Sequence, residues 1–336
     1  MSEENNSQTE PALSSDNVVL SAENITSSAP SEAHRSEIRK IFLGPNGLRA
    51  GWRLAIFVLI ISVLASALRF AFKLLHLPTI EGQLTPLGTI LSAGTGFAMT
   101  VIAAWIMSRI EGRAFGRYGL PGSQAFRKDL WVGLLWGLLT MSSTLLTIVA
   151  LHAGKISGAQ IHGKALLVAA IYWAFAFLVV GFNEEFGFRG YIQYTLTTGM
   201  GFWPSAILIS GLFGLAHARN SGENVFGEMS VVLFGLLFCL FLLRRGNLWW
   251  AVGFHMGYDW TETFFWGAPD SGILPSRNFL SSTFSGPNWL TGGSVGPEAS
   301  IVTPICLLIV AILFSLVYRE NRYRTGVAQS IQRQLV

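Results

Sequence analysis

Two adjacent carboxylates and an arginine follow one of the most apolar stretches of the chain. Glu184 and Glu185 come directly after residues 169–183, and Arg189 follows Glu185 by four positions. Residues four apart share a helix face, so Glu185 pairs with Arg189, whereas Glu184 lies about 100° further round the axis. Ionisable groups at membrane depth cost several kcal/mol unless they are paired or face a wet cavity, and by default they mark a functional site.

This cluster has two interpretations. In the first, all three charges form a structural lock between helices, which is favourable only if hydrogen bonds complete the buried ion pair. In the second, Arg189 neutralises Glu185, and Glu184, desolvated without a cation of its own, is suited to act as a general base.

His217 is a candidate partner of Glu184. The chain is expected to reverse near residues 199–204, with Glu184 about 17 residues before the turn and His217 about 16 after it, at ~1.5 Å of rise per residue. The two side chains would then lie at nearly the same depth on antiparallel helices and could share one water or metal. The alternative is that His217 is a surface or capping residue at a helix end.

A third candidate helix carries His255 and Asp259, four residues apart, with Glu262 seven residues from His255 on roughly the same face. The simplest interpretation is a His–Asp hydrogen bond that fixes the imidazole tautomer. An imidazole oriented by a carboxylate in an apolar span is also what metal ligation or oxyanion stabilisation requires.

Together these residues form a set of oxygen and imidazole donors that could bind a zinc-like divalent ion or activate a water molecule. The set consists of Glu184, His217, His255 and Asp259. The His-Glu-x-x-His pattern of soluble zinc proteases is absent from the sequence.

The composition indicates that membrane helices position these residues. Of the 336 residues, 51% are hydrophobic and 12% are charged, and the mean hydropathy is +0.47, well outside the usage of soluble domains. The net charge is +4, and because residues 1–33 hold six acidic and no basic residues, the rest of the chain carries +10. This basic excess is spread over loops, which suits a membrane topology better than nucleic-acid binding. Cys239 and Cys306 lie in apolar runs, so no disulfide framework is expected.

A helix needs ~20 residues to span a ~30 Å hydrocarbon core. The long apolar runs, which do not alternate, therefore predict an all-α, polytopic transmembrane bundle of about eight helices: roughly 54–74, 86–109, 129–151, 165–185 with a helical continuation, 202–218, 226–243, 247–266 and 300–318.

Basic residues concentrate in alternate connections. They occur before the first predicted span, between the second and third, between the sixth and seventh, and after the eighth. The positive-inside rule then predicts that both termini are cytoplasmic, in the plasma membrane if the source is bacterial.

The chain divides into one membrane domain and two tails. Residues 1–40 are rich in Ser, Glu, Asn, Thr and Pro and are expected to form a disordered, acidic cytoplasmic tail. The membrane domain is predicted over 41–325, with its chemistry at about 165–262, and a short cytoplasmic tail is predicted over 326–336.

Three motifs, in this order on the fourth, fifth and seventh predicted helices, resemble those of the CPBP family. This family comprises CAAX proteases and bacteriocin-processing enzymes and is also called the ABI family. The motifs are Glu-Glu-x-x-x-Arg at 184–189, Phe-x-x-x-His at 213–217 and His-x-x-x-Asp at 255–259.

The resemblance implies an eight-helix intramembrane endopeptidase of the type II CAAX prenyl endopeptidase kind. It further implies that Glu184 and His217 activate the attacking water, that His255 stabilises the oxyanion, and that Glu185 and Arg189 organise the site. Position 259 departs from the family pattern, since Asp stands where Asn is often found. A carboxylate is a poor oxyanion donor but a good ligand or imidazole orienter, so Asp259 favours a metal-assisted mechanism with zinc as the expected ion.

The sequence therefore predicts an intramembrane metalloendopeptidase. Its substrate would be a membrane-bound or prenylated protein or peptide in the lipid bilayer. The alternative is a non-catalytic membrane adaptor or bacteriocin-immunity protein in which the same charges only hold helices together. A secondary transporter with a proton relay is disfavoured, because inverted repeats and broken-helix pairs are missing from the sequence.

Overall fold

A computed structural model describes residues 40–44, 47–76, 84–218 and 224–325. The predicted tails lie outside these residues, apart from Lys40. The helices are α1 (Ala50–Leu74), α2 (Pro86–Ile110), α3 (Lys128–Ala150), α4 (Gly163–Arg189), α5 (Tyr191–Met200), α6 (Phe202–His217), α7 (Val225–Arg245), α8 (Trp249–Asp259), α9 (Asn288–Thr291) and α10 (Val302–Val317).

The protein is an α-helical membrane protein, as its composition predicts. Five helical segments are long and apolar enough to cross a bilayer: α1, α2, α3, the continuous stretch Gly163–Met200 formed by α4 and α5, and α7. Helices α6 and α10 are apolar but have only 16 residues each, or about 24 Å at 1.5 Å per residue. Eight full spans stay a prediction.

Two short antiparallel strand pairs accompany the helices. Strands β1 (Leu43–Gly44) and β2 (Gly47–Leu48) precede α1. Strand β3 (Gly154–Ser157) follows α3 and pairs with β4 (Ser281–Phe284). The β3–β4 pair ties the long loop after α8 to the connection between α3 and α4, so that this loop is folded against the bundle.

Helix α8 lies against α3 at a backbone separation that only glycine permits. A Cβ added at Gly253 or Gly257 would clash with the main-chain carbonyl of Leu130 or Leu134 on α3. Gly133 and Gly137 of α3 reciprocate, because a Cβ there would meet the carbonyl of Trp250 or Phe254. This is the close approach that small residues four apart allow between membrane helices.

The predicted span 247–266 is not one regular α-helix. Helix α8 ends at Asp259, and residues Trp260–Phe265 continue as a π-helical turn. Such turns are rare and often occur at functional sites. They rotate the following residues out of α-helical register, which affects Glu262 as described below.

Candidate active site

Glu184 and Glu185 lie in the last two turns of α4, and their environments differ. The Glu185 side chain is fully buried, whereas that of Glu184 is 25% exposed. Glu184 lines a cavity of about 180 Å³ with residues from α6, α7 and α8. The carboxylate free to meet water is therefore Glu184.

The predicted proximity of Glu184 and His217 is confirmed. Helix α5 ends at Met200 and α6 begins at Phe202, with Gly201 between them at φ 86°. The reversal brings His217 Nε2 to 4.0 Å from Glu184 Oε2. That spacing is too long for a direct hydrogen bond and leaves both atoms facing the same cavity.

The tautomer of His217 follows from its other nitrogen. Nδ1 lies 2.8 Å from the main-chain carbonyl oxygen of Phe213. A carbonyl oxygen can only accept, so Nδ1 carries the proton and donates it. In the neutral imidazole Nε2 is then a bare acceptor that faces Glu184.

His255 of α8 connects the two glutamates. Its Nδ1 lies 2.9 Å from Glu185 Oε1, and its Nε2 lies 3.6 Å from Glu184 Oε2. The Nε2 atom is also 3.4 Å from Asp259 Oδ2. The ring stacks on Phe238, with centroids 5.4 Å apart and planes 4° apart. The imidazole is therefore held at one nitrogen, while the other faces the cavity.

The i, i+4 pairing of Glu185 with Arg189 is confirmed as an ion pair, with 3.5 Å between Arg189 Nη1 and Glu185 Oε1. Both side chains are fully buried. The guanidinium has no hydrogen-bond partner among the described residues. It packs instead over the ring of Phe213, with its carbon 4.2 Å from the centroid. The pair thus relies on the ring face, which attracts a cation, for part of its stabilisation.

Glu262 does not join the site, contrary to its expected position on the face of His255. It is absent from the lining of the cavity and is only 1% exposed. Neither carboxylate oxygen has a hydrogen-bond partner among the described residues. The π-helical turn that begins at Trp260 accounts for the change, because it breaks the period on which the expectation relied.

Asp270, Ser271 and Glu298, from the loop after α8, complete the cavity wall, and the sequence pattern gave no sign of them. Glu298 Oε1 accepts hydrogen bonds from the Ser271 main-chain N–H at 2.7 Å and from its hydroxyl at 3.0 Å. Asp270 accepts from the hydroxyl of Thr263 at 2.9 Å. Removal from water, together with the nearby Asp259 charge, raises the pKa of Asp270 to about 7.

The placement of the four predicted ligands bears on whether they could hold a divalent metal ion. Both histidines donate Nδ1–H to an oxygen and turn Nε2 to the cavity, as metal-binding histidines do. Among the residues that the structure describes, however, no group of three or more His, Cys, Asp or Glu side chains is arranged to hold a metal ion. The side chains as placed do not complete a metal centre, and zinc stays a prediction.

Comparison with known proteins supports the relationship suggested by the three motifs. Residues 166–261 match the family model described as Rce1-like, type II CAAX prenyl endopeptidase. No curated protein sequence matches the chain. The matched segment contains α5, α6, α7, α8 and nearly all of α4. It includes Glu184, Glu185, Arg189, His217, His255 and Asp259. Residues 166–261 are therefore similar to a domain of a protease family, and they lie within a membrane protein.

Proposed function

We propose that the protein is an intramembrane endopeptidase that cleaves a peptide bond in a membrane-associated protein or peptide. The observation that carries the proposal is the position of Glu184, whose carboxylate lies 4.0 Å from His217 Nε2 and 3.6 Å from His255 Nε2 at one cavity. The match to a protease family over the same residues supports this chemistry.

In the proposed reaction, a water molecule lies between Glu184 and His217. Both groups are acceptors, so the water donates one O–H to each and keeps a lone pair for attack. When its oxygen bonds to the peptide carbonyl carbon, Glu184 takes the proton. Glu184 then gives that proton to the leaving amine as the C–N bond breaks, which is the usual double duty of a general base.

His255 is proposed to stabilise the oxyanion. In its protonated state, Nε2–H donates to the oxygen that becomes negative in the tetrahedral intermediate. Glu185, bonded to Nδ1, fixes the orientation of the ring. Asp259 faces the same Nε2 and orients it in the absence of substrate. A metal ion, if bound here, would supply Lewis-acid polarisation of the carbonyl.

The test compares membranes from cells that express the parent protein, Glu184→Ala or His217→Ala. New peptide N-termini in membrane proteins are identified by mass spectrometry, and a purified-protein assay uses a farnesylated fluorogenic peptide. Loss of the general base should lower cleavage by about 10²–10⁴-fold with normal membrane insertion. Glu320→Ala is the matched control, since that side chain is 77% exposed.

Identical sets of N-termini from the parent and Glu184→Ala would refute the proposal. That outcome, together with an intact cellular phenotype in the variant, would favour the adaptor or immunity role. Cleavage of the farnesylated peptide would extend the proposal to prenylated substrates, the class for which the matched family is named.

A further inference from the structure

The two ends of the helix bundle differ in charge. One end, which we term the basic face, joins the start of α1 to the end of α2 through Arg53 Nη2 and Glu111 Oε2, 2.5 Å apart. It also joins the end of α7 to the start of α3 through Arg245 Nη2 and Asp129 Oδ1, 2.6 Å apart. The basic residues of this face are Arg49, Arg53, Arg109, Arg113, Arg117, Arg127, Lys128, Arg244, Arg245, Arg319, Arg322 and Arg324.

We term the opposite end the loop face, because the loop after α8 covers it. The Leu84 N–H donates to Leu274 O at 3.3 Å, and the Gln160 N–H donates to Phe279 O at 2.7 Å. The described part of this end carries fewer basic residues, namely Arg69, Lys73, Lys155, Lys164 and Arg277. The structure thus gathers most of the basic residues at one end, although they are dispersed in sequence.

The catalytic cavity extends towards the loop face. Its lining includes Leu84, just before α2, and three residues of the covering loop, Asp270, Ser271 and Glu298. A second cavity of about 380 Å³ lies between the first turns of α2 and the face of α4 that carries Val180 and Glu184. Both cavities share Thr89 and Glu184, so Glu184 is within reach of the loop face and of the gap between α2 and α4.

The side chains between the catalytic residues and the basic face are packed. Phe186, Phe241 and Trp250 have no exposed surface, and Arg189 is 1% exposed. The aromatic rings of α7 and α8 contact one another there, with 4.2 Å between the centroids of Phe241 and Trp250. A peptide reaching Glu184 from the basic face would have to displace this core, whereas a peptide from the loop face would enter existing cavities.

We infer that the substrate is a peptide segment held at, or anchored in, the extracytoplasmic half of the membrane. Excess Lys and Arg mark the cytoplasmic side of a membrane protein, which makes the loop face extracytoplasmic. The inference rests on the proposed function and narrows its substrate class. A prenylated C-terminus in the cytoplasm lies on the wrong side of the bilayer. A secreted or membrane-anchored peptide reaches Glu184 through the loop face.

The test measures accessibility and needs no substrate. Single cysteines are introduced into full-length protein in which Cys306→Ser has been made and the buried Cys239 is kept. Ser92→Cys reports on the second cavity, which this exposed residue lines together with Glu184. Two exposed serines supply matched controls: Ser285→Cys for the loop face and Ser123→Cys for the basic face. Right-side-out and inverted membrane vesicles are treated with a membrane-impermeant maleimide, and thermal melting confirms that each variant is folded.

Ser92→Cys and Ser285→Cys should react faster in right-side-out vesicles, and Ser123→Cys in inverted ones. We expect a difference on the order of tenfold, because the ~30 Å hydrocarbon core excludes the reagent. Labelling of Ser92→Cys from the same side as Ser123→Cys would overturn the inference. So would labelling from neither side before detergent is added, or exposure of Ser123→Cys outside the cell. Proteolysis is not measured, so failure of the proposed function would be seen separately.

Discussion

Glu185 on α4 and His255 on α8 are joined by a hydrogen bond of 2.9 Å between the carboxylate Oε1 and the imidazole Nδ1. The first and third sequence motifs therefore meet directly. Glu185 has two partners, since Arg189 lies 3.5 Å from the same oxygen. One buried carboxylate thus connects the cation of its own helix to the imidazole of another, and its role extends beyond neutralising Arg189.

The first prediction separates this hydrogen bond from the charge of Glu185. Glu185→Gln and Glu185→Ala both remove the charge beside Arg189, but only Gln keeps an oxygen that can accept from His255 Nδ1. We expect Glu185→Ala to cleave roughly 10–100-fold more slowly than Glu185→Gln, the usual loss when a group that orients a functional imidazole is removed. Cleavage rates per folded molecule, with melting temperatures, provide the measurement. Equal rates for the two variants would contradict a positioning role.

The second prediction concerns the stability contributed by Arg189. Arg189→Ala leaves the fully buried Glu185 carboxylate without its cation, which should cost about 3–5 kcal/mol. We expect a lower melting temperature and a lower yield of folded protein, together with lost activity. Arg322→Ala is the control, because its pair with Glu320 is exposed and should contribute about 0–1 kcal/mol. If Arg189→Ala melts at the same temperature as the parent, Arg189 does not stabilise the fold.

The third prediction concerns Asp259, whose Oδ2 lies 3.4 Å from His255 Nε2. If Asp259 binds a metal or orients a metal-bound His255, Asp259→Asn should lose about 10–100-fold in activity or metal affinity. If the side chain only helps to hold an oxyanion, the neutral N–H donor of Asn should serve as well or better.

We expect lost activity for Asp259→Asn, because Asp259 faces the His255 Nε2 atom that the proposed reaction uses. Cleavage rate and bound zinc are measured for the purified variant beside the parent. A variant that is equally fast or faster, without stoichiometric metal, would exclude the metal-assisted mechanism and leave Glu184 and His217 as a metal-free pair that activates water.

The fourth prediction concerns the glycines that set the position of His255. A Cβ at Gly257 would clash with the main-chain carbonyl of Leu134 on α3, so Gly257→Val should push α8 away from α3 and move His255 off Glu185. Overpacking of a core typically costs ~1–3 kcal/mol. We expect both thermal stability and cleavage to fall. Gly211→Val is the matched control, since a Cβ there meets nothing within 4 Å. Equal behaviour of the two variants would show that the close α3–α8 contact is not required.

The fifth prediction is a pH dependence of stability from Asp270. Its pKa of about 7 in the folded protein is above the ordinary value of a carboxyl group, so ionisation in the folded state costs stability as the pH rises. We expect Asp270→Asn to melt at a higher temperature than the parent at pH 8, and the gap to narrow as the pH falls below 7 towards the ordinary carboxyl pKa of about 4. The Asn side-chain oxygen still accepts from Thr263. A variant that melts lower than the parent at pH 8 would contradict this account.

The sequence by itself determined that the protein is a helical membrane protein, and it supplied the candidate site residues. Long apolar runs can satisfy their main-chain hydrogen bonds in a bilayer only as helices, so membrane helices follow from composition. The pairing of Glu185 with Arg189 also follows, because it is local to one helix. That Glu184 and His217 lie at similar depth could be inferred from the rise per residue of a helix and a chain reversal near Gly201.

Only the tertiary structure decided which groups meet across helices. The bond between Glu185 and His255 depends on how α4 and α8 are placed, and the glycine contacts that hold α8 close to α3 are a property of the assembled bundle. Loop residues such as Asp270 and Glu298 reach the cavity because the covering loop folds back on the bundle, which no helical period encodes. Glu262, seven residues from His255, does not line the cavity, because the π-helical turn from Trp260 interrupts the α-helical period in which the two residues would share a face.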